Sequence, residues 1–140
     1  MNASVDNVEQ ARCFLRNEPP CGALQMREIF VDDAASLNRL ASVQAFCADL
    51  RKHTSIKGLF ICDAEIHTAP MMRALVDAAI ALQLECVNFY DCGCTPDTVP
   101  ELTRLVSAGS VRKLHIDNDD ELFKAGANTN QFCAAVRASS

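Results

Sequence analysis

The stretch Leu84-Glu-Cys-Val87-Asn-Phe89-Tyr-Asp-Cys92-Gly-Cys94 carries apolar residues at its positions 1, 4, 6, 9 and 11. Positions 4 and 6 alternate as on a short strand, where side chains two apart share a face. The same template falls on Ile56, Leu59, Ile61, Ala64 and Ile66, and on Met26, Ile29, Val31 and Ala34. It falls again on Val111, Leu114 and Ile116, after which Asp119 and Glu121 occupy positions 9 and 11. The unit starts are 26, 56, 84 and 111, so the periods are 30, 28 and 27 residues. Near-constant spacing of this length is the signature of an internal repeat.

The second half of each unit changes period. Counting back from each following start, the ninth residue is Cys47, Leu75 or Leu102 and the sixth is Leu50, Ala78 or Leu105. Residues three apart share one face of a helix, so these pairs are expected to pack onto the strand layer. Thr98 with Glu101 reads as a capping box, with Pro100 in the first turn and Gly109 at the stop. A strand, a turn and a returning helix cannot close a core alone. Stacked units form a parallel sheet on one side and a helix layer on the other.

The pattern LxxLxLxx(N/C)xL with helical returns resembles the leucine-rich repeat, in its longer ribonuclease-inhibitor-like subtype, over about residues 23–138. The best match is Leu84–Cys94, where Cys92 stands at the Asn/Cys position. Ala34, Ala64 and Asp119 depart from that position, and the turn after the fourth strand, Asn118–Asn128, is irregular. The resemblance implies an α/β solenoid, a right-handed horseshoe arc with strands on the concave face and helices on the convex one. Residues 1–22 are read as an N-terminal helix through Val5, Val8, Ala11, Phe14 and Leu15, a cap or a degenerate repeat. Residues 23–140 hold the four repeats. Phe132 matches the ninth residue before a further strand near 141, so the array is expected to continue or to be covered by a partner or second copy; self-association at this uncapped end is the corresponding expectation.

Composition limits the function classes. The 140 residues carry 13 basic and 18 acidic side chains, a net charge of −5, which argues against phosphate-backbone binding to nucleic acid as the main task. No apolar run approaches the ~18 residues that span a bilayer. The first residues, MNASVDNVEQAR, lack a secretory signal's basic flank and apolar segment. Most of the eight cysteines lie among apolar residues, where Cys acts as a small hydrophobe. A reduced, cytoplasmic protein is expected.

Arranged by repeat position, the strand residues describe a surface. Position 5 gives Phe30, Phe60, Asn88 and His115; position 7 gives Asp32, Cys62, Tyr90 and Asp117; position 8 begins Asp33, Asp63, Asp91. Strands ~4.8 Å apart would set those three aspartates in a row. Three readings of the row stand side by side: a stripe that recognises Lys or Arg on a partner, Asx-type bonds to turn backbone, or capture of a metal. Phe30, Phe60 and Tyr90 beside it have the composition of an interface hot spot, or else cover one another across strands. The fourth repeat is more basic, with Arg112, Lys113 and His115.

Catalysis has little sequence support. No phosphate-binding Gly-rich motif and no nucleophile motif is present, and Cys92-Gly-Cys94 lacks the CxxC spacing of zinc ligands. No cofactor or metal is expected. The expected function is a non-catalytic protein–protein interaction scaffold whose concave acidic-aromatic surface meets a partner with a basic patch. The alternatives are a small redox, metal-binding or hydrolytic protein using Cys62, Cys86, Cys92, Cys94 and His115, and structural spacer repeats of a larger protein.

Overall fold

A computed structural model describes residues 2–17, 27–117, 122–123 and 126–139. Met26, Asn118, Asp119 and Glu121, which the repeat template includes, lie outside the described residues. Five strands, β1 (Asn2–Asn7), β2 (Glu28–Asp33), β3 (Gly58–Cys62), β4 (Cys86–Tyr90) and β5 (Lys113–Asp117), alternate with five helices: α1 (Val8–Asn17), α2 (Leu40–Leu50), α3 (Ala69–Leu82), α4 (Val99–Ser107) and α5 (Ala127–Ser139). The strands form one parallel sheet in chain order, β1-β2-β3-β4-β5. Each helix packs against the next, α1 on α2 through to α4 on α5, so all five line one side of the sheet.

The register equates the units residue for residue. Ala3, Ile29, Leu59, Val87 and Leu114 form one row, and Val5, Val31, Ile61, Phe89 and Ile116 another. In β2, β3 and β4 these residues are at most 1% exposed. They meet the expected helix residues Cys47, Leu50, Leu75, Ala78, Leu102 and Leu105, all buried in the same core. Backbone bonds recur in step: Gly58 N–H donates to the Arg27 carbonyl, Cys86 to Lys57 and Lys113 to Glu85.

Two local expectations are corrected, and one turn is longer than the template. Val5 lies in β1 and pairs with Val31; the N-terminal helix begins at Val8. Residues 2–17 are therefore a strand–helix unit in register with the others, and the helical spacing of Val5 and Val8 straddles a boundary. In the first turn the buried residue is Leu37, one past template position 11, because this unit carries an extra turn residue; Leu122 is shifted likewise. Thr98 is the N-cap of α4, but it makes no side-chain cap bond and its hydroxyl donates to the Thr95 carbonyl. Glu101 turns instead to Arg73 and Arg104, at 3.0 and 2.8 Å. Gly109 terminates α4 as expected, at φ +83°, a conformation that L side chains disfavour.

Candidate functional site: the uncovered face of the sheet

All-parallel sheets normally have both faces covered. Here the second face bears Glu28, Phe30 and Asp32 from β2, with the matching residues of β3, β4 and β5. No described element packs over it. Position 5 runs Ser4, Phe30, Phe60, Asn88, His115 across five strands, and position 7 aligns Cys62, Tyr90 and Asp117. The rings of Phe30 and Phe60 stack with centroids 4.2 Å apart and planes 13° from parallel, a flat half-buried platform. Tyr90 stands beside it with 44% of its surface exposed.

Gly58 fixes this arrangement. A Cβ there would lie 2.8 Å from Glu28 Cγ and 3.1 Å from the Phe60 ring. The missing side chain lets the Glu28 stem and the Phe60 ring close over the strand. A groove of about 710 Å³ follows, lined among others by Glu28, Phe60, Cys86, Asn88, Lys113 and His115. Asn88 Oδ1 is buried there without a hydrogen-bond partner. Buried amide oxygens are rarely left unpaired.

The three aspartates of position 8 are all exposed, and the backbone accounts for each. Asp63 and Asp91 sit at φ +63° and +53°. That left-handed region costs most side chains ~1–2 kcal/mol and is open to Gly, Asn and Asp. Their N–H groups donate to the carbonyls of Tyr90 and Asp117 on the next strand. Asp33 lacks the unusual φ but accepts from Ala35 N–H at 3.0 Å, an Asx-type turn. Turn geometry thus supplies a structural reason for the row, and leaves the carboxylates of Asp63 and Asp91 facing solvent.

Charge divides the face. Burial and then Asp63 and Asp32 raise the Cys62 thiol above its ordinary range, placing a negative field at the strand ends. Cys86 is also raised, by burial and then Glu28, with Lys113 opposing. Both shifts lower the share of thiolate, the form in which a free cysteine acts as a nucleophile. Lys113 and His115 on the last strand and Arg112 just before it are exposed, and His115 Nε2 lies 3.6 Å from Asp117 Oδ2.

Cys92 and Cys94 point into the core, and the Cys92 thiol donates to the Ile61 carbonyl at 3.3 Å. Where two other turns carry alanine, the backbone still reaches the neighbouring unit, Ala34 N–H donating to the Cys62 carbonyl. His53 is buried, and its ring bonds the Leu15 carbonyl in the last turn of α1 at 2.6 Å; it serves the neighbouring helix's end, not its own. The His67 ring bonds the Glu65 carbonyl nearby in its own turn. Among the described residues no three His, Cys, Asp or Glu side chains converge on a point that would hold a metal ion, and no helix is long and apolar enough to cross a membrane.

The chain matches no model of a known protein family, no curated protein and no solved structure.

Proposed function

We propose that the chain is a non-catalytic interaction scaffold, a leucine-rich-repeat-like solenoid whose uncovered sheet face binds another protein. The observation that carries this is the stacked Phe30–Phe60 pair on a parallel sheet face with no covering layer. Aromatic surface left open at the centre of a rigid sheet, rimmed by charge, has the anatomy of an interface hot spot. A scaffold of hydrogen-bonded strands loses little entropy on association.

The partner presents a basic patch. Asp32, Asp33, Asp63 and Asp91 carry four exposed carboxylates at one end of the strands. A guanidinium laid on the phenyl platform gains cation–π attraction there and reaches these acids. Arg112 and Lys113 at the far strand repel the same cation, which fixes the direction in which a segment lies. The setting is a cytoplasmic one, and residues 127–139 at the thinly packed end would be the contact for self-association.

Peptide selection on the immobilised chain tests this reading. Selected peptides should be enriched in Arg and Lys, and should lose at least tenfold in affinity to Phe60→Ala and Asp63→Asn. Arg104→Gln on the helix side serves as the control. Peptides that bind Phe60→Ala and Asp63→Asn as tightly as the unsubstituted chain would contradict the proposal.

A further inference from the structure

The helix side carries two ion-paired seams, and they differ in charge balance. Between α3 and α4, Arg73 and Arg104 meet Glu101 and Asp77, two cations to two carboxylates. Between α1 and α2 a single carboxylate, the buried Asp49, faces Arg12 at 2.7 Å, Arg16 at 3.2 Å and Lys52 at 3.9 Å. Both arginines use Nε on the same oxygen, Asp49 Oδ2, so the seam holds two positive charges beyond its own compensation.

A groove of about 630 Å³ opens along this seam. Arg12, Arg16 and Arg39 line it with Glu9, the one acid of the lining among the described residues, while Ala41 and Ala45 add apolar wall. Counting wall and seam together, Arg12, Arg16, Arg39 and Lys52 outnumber Glu9 and Asp49 by two. Arg39 is exposed and forms no ion pair among the described residues. Ser36 and Ser42 stand on the same wall. Guanidinium groups fork onto tetrahedral oxyanions more readily than any other side chain, and a groove of this size suits a small ligand. A local surplus of two cations in a chain of net charge −5 runs against the general field of the molecule.

From this juxtaposition we infer that the α1–α2 groove binds the phosphate group of a small phosphate monoester, whose organic part lies on Ala41 and Ala45. The site is independent of the uncovered sheet face and on the other side of the molecule.

Titration of the full chain with inorganic phosphate and with phenyl phosphate, at constant ionic strength, tests it by backbone amide NMR shifts. The expected result is saturable shifts at Cys13, Arg39 and Ser42 with both probes and tighter binding of phenyl phosphate. Arg39→Gln should weaken both at least tenfold; the residue is exposed and forms no ion pair among the described residues, so the fold should persist. Arg73→Gln on the balanced seam should change neither. Shifts that do not saturate, equal affinity in Arg39→Gln, or weaker binding of phenyl phosphate than of inorganic phosphate would overturn the assignment.

Discussion

The two faces of one sheet are built from the same strands and obey opposite rules. Toward the helices, Ile29, Val31, Leu59, Ile61, Val87 and Phe89 are sealed, and each neighbouring side chain is fixed by the register. On the other face Phe30, Phe60, Asn88 and Tyr90 alternate with them along the chain, yet remain half-buried or exposed. A change of one residue in position therefore moves a side chain from stability to recognition. The comparison teaches that the burial of a residue here, not its hydrophobicity, tells what it does.

The largest expected effect lies on the sealed face. Phe89→Ala removes a fully buried ring and should cost about 3–5 kcal/mol in chemical denaturation. Its neighbour across the pleat, Phe60→Ala, should cost about 1 kcal/mol, the worth of a half-exposed ring pair. Equal losses would remove the distinction between the faces.

Acidity gives the next contrast. Cys47, on the core side of α2, has its thiol pushed up to about 12 from 9.0, mainly by burial. Because the folded form holds this proton more tightly than the unfolded chain, the contribution is intact below pH 9 and is lost as pH rises toward 12. The unsubstituted chain should therefore lose up to ~1.4 kcal/mol per pH unit relative to Cys47→Ala above pH 9. A stability difference independent of pH between 8 and 11 would show that Cys47 is not sealed. At pH 8, Cys62 should react with a thiol reagent well before Cys47.

The position-8 row sharpens the functional half of the comparison. Asp91→Val places a β-branched residue at φ +53° and should cost about 1–2 kcal/mol. Asp91→Gly should leave thermal stability unchanged or raised, since Gly adopts this region freely. A loss for Gly as large as that for Val would mean that the carboxylate itself holds the turn.

Much of the architecture was legible because its signals are local. Positions 4 and 6 announce a strand by period, the ninth and sixth residues before the next strand announce a helix face, and Gly109 announces a stop. The N-terminal strand was obscured because Val5, Val8 and Ala11 continue a helical spacing across the point where β1 becomes α1. The extra residue before Leu37 was visible only as a period of 30 against 28. At the site, the columns through Phe30, Phe60 and Tyr90 follow from register alone. What Gly58 makes room for depends on rotamers and contacts between strands. Asp49 was missed, and Glu101 was given to the Thr98 cap, because Arg12 and Arg73, their partners, sit 37 and 28 residues away.

The central claim, that the uncovered face is the binding surface, is tested most directly by mapping. Backbone amide shifts should be followed while a selected arginine-bearing peptide is titrated into the full chain. The account predicts saturable changes at Phe30, Phe60, Cys62, Asn88 and Tyr90, and none along α3 and α4. Shifts confined to the helix side, with Phe60 and Tyr90 unmoved at saturation, would contradict it.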